Sequence, residues 1–405
     1  SIRNKYENGI DATLICKQSK QLSTMFHQRY TYLTFSRRDI RFLKPLYYIS
    51  SFWGLIPYYN FEKRSIENPK QEKIKSAMLI ILIITGSLFS TVQKHQLFRN
   101  LNLCLDFVND IVNCIIPVTV AIKVSFSDRD KWLRLNNSFQ QIDKIFNNRG
   151  QQESNFLRNP VFQCAVNVLA FIIVMLYVVG TWCYHFGIDV IFRTYLVHTF
   201  CYNCNTVLFT LITNYALAFR CRYQDLNRYL NIDTLKTKYK NGSSLVPLLR
   251  QVGTLSRTLS EMVIIFNEIF GWTFVFVAAK TITHILATCM ILLEKETEVA
   301  NIEMWLSDFL AFSLTIVNFT ILMMSGSSVT TESSKTAFLS YKLQEHFPPK
   351  SDERLEILIL ARQVQANEVK ITAGDFFEIN RSTFCGILAT CTTYVIVVLQ
   401  FSGNF

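Results

Sequence analysis

The sequence predicts an all-α membrane protein of seven transmembrane helices, with an internal N-terminus and a helical region beneath the membrane. Three observations carry that reading. Of 405 residues 50% are apolar and only 18% are charged, and the mean hydropathy is positive at +0.21, a membrane-protein composition. Apolar stretches of about 20 residues recur along the whole chain, which favours one membrane domain over several soluble ones. Lys and Arg gather in alternate connections between those stretches.

Taken in order, residues 1–75 form a cytoplasmic segment. Its polar opening "SIRNKYENGI" lacks the short apolar core of a signal peptide, and Ser1 stands where an initiator methionine would. Seven spans follow near 76–93, 102–124, 161–186, 194–219, 263–293, 303–324 and 382–401. Asp106, Asp110 and Lys123 interrupt the second, and Lys280 and His284 the fifth. With the N-terminus inside, residues 1–75, 125–160, 220–257 and 325–381 hold 14, 6, 8 and 7 basic residues, whereas the opposite side holds only Lys94, Arg99, Arg193 and Lys295. The C-terminus is therefore expected outside, in the plasma membrane.

This topology inverts that of a G-protein-coupled receptor. Its outside connections are about ten residues or fewer, and its inside ones run to several tens, long enough to hold helices. The stretch "SDERLEILILARQVQANEVK" (351–370) has acidic residues first, basic residues later and apolar Leu355, Leu358 and Ile359, which predicts a helix below the membrane packing on others, or one lying on the inner leaflet. The expected organisation is a cytoplasmic segment at 1–75, a six-helix ligand-sensing bundle at 76–324 with loops 125–160 and 220–257, anchor helices at 325–381, and a seventh helix with an extracellular tail at 382–405.

Other classes are disfavoured. The net charge of +11 is spread between apolar spans without an aromatic and basic motif for nucleic acid. Of the eleven cysteines, Cys114, Cys164, Cys201, Cys204, Cys289, Cys385 and Cys391 lie in apolar stretches and read as packing residues, the Cys201/Cys204 pair included. No metal or cofactor is expected. The Asn-x-Ser/Thr matches at Asn136, Asn241, Asn318 and Asn380 fall in cytosolic or membrane positions and are not expected to carry glycans. No P-loop, HExxH, GxSxG or kinase signature appears, so catalysis has no support, and eight prolines without an internal repeat weaken a transporter reading.

In the last span, "RSTFCGILATCTTYVIVVLQF", Gly386, Thr390, Thr393, Val397 and Gln400 recur at spacings of four, three, four and three, one narrow helical face, with Ile387, Leu388, Ile396 and Leu399 opposite. Small residues at that spacing suit a tight helix seam as well as a pore. Gln400 favours the pore, because an amide near the end of an apolar helix needs water or a partner. Thr390 and Thr393 would wet such a conduit, and Val397 and Phe401 would close it by dewetting.

Thr393, Tyr394, five apolar residues and then Gln400 and Phe401 match at every position the TYhhhhhQF signature (h apolar) of insect gustatory receptors, which the chain resembles over nearly its whole length; "FWGLIP" (52–57) resembles the approach to the first span in that family. The resemblance implies a ligand-gated, non-selective channel for Na, K and Ca ions, a tetramer whose last helices line the pore. Val395 stands where many sugar-responding members have Glu. That departure resembles the fructose-receptor branch, or else a bitter receptor.

Sugars are held by aromatic faces together with carboxylates, amides and other polar groups. Near the outer helix ends, Trp182, Tyr184, His185, Asp189, Tyr195, His198, Glu303, Trp305 and Asp308 supply such groups, as do Lys280, Thr283, His284 and Thr288 of the fifth span. For the two tryptophans the alternative is an interfacial aromatic belt. For Lys280 and His284 it is an internal bond, with Asp110 or Asp308 as candidate partners of Lys280. Asp106 and Asp110 could instead draw cations toward an outer vestibule.

Overall fold

The computed structural model describes residues 39–97, 102–147, 160–231, 245–294 and 302–401. A single 3₁₀ turn, Ile40–Leu43, leads into α1 (Lys44–Phe52), and a two-stranded antiparallel hairpin, β1 (Tyr59–Asn60) with β2 (Ser65–Ile66), precedes α2 (Pro69–Leu97). α3 (Asn102–Ile122) carries Pro117 and ends in a wide π turn, Lys123–Ser127, before α4 (Arg129–Asn147). α5 (Pro160–Phe186), α6 (Ile188–Tyr229), α7 (Val246–Glu294) and α8 (Ile302–Gln344) follow. α9 (Asp352–Ala366), the hairpin β3 (Thr372–Ala373) with β4 (Phe377–Glu378), and α10 (Arg381–Phe401) complete the order. Arg99, Asn241 and Lys295, and the side chains of Lys94, Asp106, Cys164, Leu399 and Phe401, lie outside the described residues.

Each of the seven predicted spans lies in its own helix: α2, α3, α5, α6, α7, α8 and α10. α6, α7 and α8 run to 42, 49 and 43 residues, about 63 to 74 Å at the helical rise, roughly twice a hydrocarbon core. Half of each therefore stands outside the bilayer. Among the described helices, Pro69–Gln93, Phe107–Ser127, Val246–Cys289 and Ile302–Gln344 are long and apolar enough to cross a membrane, and Ile172–Phe186 and Arg381–Val397 are shorter apolar segments. α6 falls short of that measure for a physical reason. It packs against α2, α3, α5, α7 and α8 and buries Asn205, Thr206, Thr210, Thr213 and Asn214, so protein surrounds it and its polar groups need not meet lipid.

Below the bundle, α4 and α9 pack on α7 and close a core rich in aromatic rings. Trp132 is fully buried between Tyr47, Tyr215 and Phe270 at ring separations of 5.6, 5.7 and 6.2 Å. Its neighbour Asn136 accepts from the Tyr215 hydroxyl at 2.7 Å and from Tyr47, whose hydroxyl also meets that of Tyr215, and it donates to the Trp132 carbonyl at 2.9 Å. Arg222, fully buried, donates to Asp143 Oδ1 at 2.7 Å and to the Ala218 carbonyl at 2.8 Å, and lies over the Phe139 ring. Asp143 Oδ2 accepts the Ile40 amide at 2.8 Å, tying the start of the described chain to α4 and α6. At the α3/α4 corner, burial works against ionisation of Asp128, but the bonds from Lys123 and Lys131 prevail and hold its carboxyl below the ordinary value. That link is complete above the ordinary carboxylate range and is lost as pH falls through the lowered value.

Two expectations are corrected here. The helix predicted over 351–370 ends at Ala366, and residues 372–378 fold into the second hairpin, whose turn places Gly374 and Asp375 at φ of +55° and +63°. On that helix Leu355 and Ile359 are 59% and 49% exposed, while Ile357, Leu360, Ala361 and Val364 meet the rest of the chain. Apolar residues cover more of the α9 surface than one contact can use, and the positions of α7 and α8 select the arc that is buried.

Replacing Arg222 by Met leaves the buried Asp143 carboxyl, already raised to about 6 by burial, beside an apolar side chain without the cation that favours its ionised form, at a cost of about 3–5 kcal/mol. Thermal unfolding in detergent should fall accordingly, and the double change Arg222→Met with Asp143→Leu should recover most of the loss.

Candidate functional site

The candidate binding residues occupy the end of the bundle where α5 meets α6 across Gly187, and they form two tiers. The rim comes first. Trp182 of α5 packs edge-on against Tyr195 of α6 with centroids 4.8 Å apart, and His185 Nε2 stands 3.5 Å from Glu303 Oε2 of α8. His284 of α7 stacks on Phe312 of α8 at 6.2 Å. Trp305 and Asp308 are half-buried nearby in sequence on α8, whereas Tyr184 and Asp189 are exposed, Tyr184 by 81%, although the Tyr184 ring lies edge-on to His185 at 5.1 Å. Thr283 and Thr288 spend their hydroxyls on carbonyls of their own helix.

The second tier is buried between α3, α6 and α7. His198 and Lys280 stand ten and fourteen residues from their helix ends, about 15 and 21 Å inward. Asn113 of α3, a residue the sequence reading passed over, is the centre of this tier. Its Oδ1 accepts from Lys280 Nζ at 2.7 Å and from Asn205 Nδ2 at 2.7 Å, and its own Nδ2 donates to the His198 carbonyl at 3.2 Å. Lys280 Nζ also sits 3.9 Å from the Tyr202 ring centre. His198 Nδ1 faces Asp110 Oδ1 at 3.4 Å and Cys114 Sγ at 3.8 Å.

The internal partner of Lys280 is thus an amide, neither Asp110 nor Asp308, and Asp110 is 8% exposed and turned to His198 within the bundle instead of toward a vestibule. The signal for Asn113 was present. Asn109, Asp110 and Asn113 fall on one face of a single apolar span, at spacings of three and four from the last, and a polar helix face in such a span turns inward. Among the described residues, His198 Nε2, Asn109 Oδ1, Asn205 Oδ1 and Trp182 Nε1 are buried without a hydrogen-bond partner. Such groups are costly to leave unmet.

α7 carries this tier toward the second hairpin. Asn267, thirteen residues below Lys280, donates Nδ2 to the Lys370 carbonyl at 2.8 Å and accepts the Thr372 amide at 3.2 Å, so its side chain fastens the approach to β3. One turn on, the backbones of Gly271 and Gly374 meet so closely that a Cβ on Gly271 would stand 2.8 Å from the Gly374 nitrogen. Beyond β4, a Cβ on Gly326 of α8 would overlap the Ile379 carbonyl. Asn380 then caps α10, its Oδ1 accepting the Thr383 amide at 2.9 Å. Two hydrogen bonds and a close backbone contact therefore join the helix bearing Lys280 to the second hairpin, which runs directly into the last helix.

α10 packs on α7 and α8 through one face only, with Phe384 and Ile387 against the core and Cys391 buried. The predicted stripe faces away from the chain: Gly386, Thr390, Thr393, Val397 and Gln400 are all exposed, and nothing lies within 4 Å of a Cβ built on Gly386. Tyr394 is 56% exposed and Ile396 49%. Thr390 and Thr393 donate to the carbonyls of Gly386 and Ala389 at 2.9 and 3.0 Å, so their hydroxyls are satisfied whatever the stripe faces.

A family model described as 7tm chemosensory receptor matches residues 43–404. The insect olfactory receptor OR5 of Machilis hrabei has a similar structure: in complex with eugenol it superposes with a TM-score of 0.67, 14% identity, and coverage of 89% of this chain and 97% of that one. The OR5 structure described without eugenol gives 0.66 at the same identity, with 89% and 98% covered. At that identity the likeness is one of fold. Gustatory and odorant receptor 24 of Anopheles gambiae is 41% identical over 51 residues, and the match spans 13% of this chain and 11% of that relative.

Asn113→Ala should cost about 1–3 kcal/mol, because the Lys280 amine is left buried without its acceptor. In a double-mutant cycle read by thermal unfolding, Lys280→Met should be far better tolerated in the Asn113→Ala background than alone.

Proposed function

The chain belongs to the 7tm chemosensory receptor family, and on that premise we propose that it is a ligand-gated, non-selective cation channel, four copies of which surround a pore lined by α10. The observation that carries this reading is the stripe from Gly386 to Gln400. It is small, partly polar, exposed along its length and turned from every helix of its own chain, as a wall shared by several copies about an axis would be. Val397 and Phe401 narrow the path by dewetting, and Gln400 bonds a neighbouring copy when closed or faces the ions when open. The exposed Leu355 and Ile359 arc of α9 is the surface by which anchor regions of adjacent copies meet.

The N-terminus lies in the cytosol and the two-tiered site opens outside. A sugar, with fructose foremost, binds there: Trp182 and Tyr195 offer ring faces, His185 and Glu303 rim bonds, and His198, Asn205 and Lys280 deeper polar contacts. Val395 at the third motif position fits the fructose reading, and fits a bitter or other small-molecule agonist as the second. Gating follows from differential binding. A ligand that draws α7 toward α3 and α6 moves Asn267 and Gly271, and with them the hairpin that starts α10.

Whole-cell currents from cells expressing the chain alone test this, with fructose, glucose, sucrose and bitter compounds perfused in turn. Fructose should evoke a rapid cation current, and Trp182→Ala or Trp305→Ala should raise its half-maximal concentration roughly tenfold, about 1.4 kcal/mol of binding. Unchanged dose–response curves in both variants would remove the pocket. Phe401→Ala should raise the current that flows without ligand.

A further inference from the structure

A second site lies at the opposite end of the molecule, away from both the ligand tiers and the α10 stripe. A cavity of about 570 Å³ opens between α1, the first hairpin and the start of α2, within the usual size range of small-molecule sites. Its wall carries three cations, Arg41, Lys44 and Lys75, and three carboxylates, Glu62, Glu67 and Glu72. The charges are balanced. Arg41 is paired with Asp39 at 2.5 Å and Lys75 with Glu72 at 2.8 Å, so a multiply charged anion finds little net attraction. Tyr48, Phe52 and Tyr58 form the remaining side, with the Tyr48 and Tyr58 rings stacked at 4.6 Å and with Phe52 79% exposed.

The cavity also has a continuation. Gln71 and Lys75 of α2 line it, and the same helix face proceeds through Met78 and Leu82, 66% and 55% exposed, flanked by Ile74 and Ile81 at 60% and 61%. Polar lining thus gives way to a bare apolar track one turn above, at the level where the apolar span of α2 begins. That order of chemistry is the order along a phospholipid.

We propose that this cavity holds the headgroup of one zwitterionic phospholipid. The ammonium group rests against Tyr48 beside Glu62 and Glu67, where a ring face and carboxylates both favour a cation. The phosphate lies by Lys44 and Lys75, and the acyl chains follow Met78 and Leu82. Glu72 holds the two walls together, accepting from Ser51 Oγ at 2.8 Å and from the Tyr58 amide at 3.2 Å, so an occupied cavity braces α1 against α2.

The full chain, purified in detergent and offered equal amounts of phosphatidylcholine, phosphatidylethanolamine and phosphatidylglycerol, tests this by native mass spectrometry. One phospholipid should be retained per chain, with choline or ethanolamine forms favoured about fivefold over the glycerol form, a difference near 1 kcal/mol. Lys44→Glu and Tyr48→Ala should lower retention. So should Leu82→Trp, which obstructs the track from the exposed side of α2 without altering the cavity, and a monodisperse elution profile checks that each variant is folded. Equal or greater retention of phosphatidylglycerol would overturn the proposal, as would retention unchanged in all three variants. Phe52→benzoylphenylalanine supplies an independent reading: photo-crosslinks to phospholipid support the site, and crosslinks to the chain's own residues 1–38 mean that peptide fills the cavity instead.

Discussion

Helices twice as long as the bilayer is thick impose the constraint on which this architecture rests. α6 and α8 begin, and α7 ends, among the residues of the candidate binding end, and all three reach from there into the region below the membrane where Trp132 and Arg222 are buried. A hydrogen-bonded helix resists compression along its axis, so a shift imposed at Lys280 has few places to dissipate before Asn267. What fixes the three rods laterally is polar. Asn113 joins α3, α6 and α7 within the membrane, and Asn227 of α6 bonds Glu332 and Thr336 of α8 below it. In lipid such bonds have no water to compete with, and removing one partner strands the other.

The contrast between the ends of α7 bears on how a ligand could do work there. At Asn113, several donors converge on one amide while neighbouring polar atoms remain unmet. At Asn267 and Gly271, by comparison, every contact is with backbone and the packing admits no added methyl group. The first arrangement can be rearranged by a molecule bearing hydroxyls; the second can only be carried along.

The membrane helices were legible because burial in lipid demands long apolar runs, and even the two interrupted spans are helical throughout. The stripe on α10 was legible for a related reason, since one helix has a fixed period and its faces follow from spacing alone. What spacing cannot supply is the partner. Asn113 reads as an incidental polar residue until α6 and α7 are set beside it, and the choice between Leu355 and Ile357 on α9 depends on where α8 passes. Both hairpins escaped notice because two-residue strands have no periodicity; their traces were only turn residues such as Gly374 and Asp375. Asp189 failed to join the site for the opposite reason, being suitable in type and in linear position but exposed, and Tyr184, 81% exposed, touches it only through His185.

The join between α7 and the second hairpin uses two glycines and one amide, none of which belongs to either tier of the binding end. Side chains such as Trp182, Tyr195 or His284 can therefore be exchanged, one at a time, without touching the residues that transmit movement in the proposed gating. A gene of this design could be duplicated and its copies drift toward different chemicals while each inherits a working mechanical train. The repertoire of a lineage would then be limited less by the difficulty of inventing a gate than by how many shapes the upper residues can enclose.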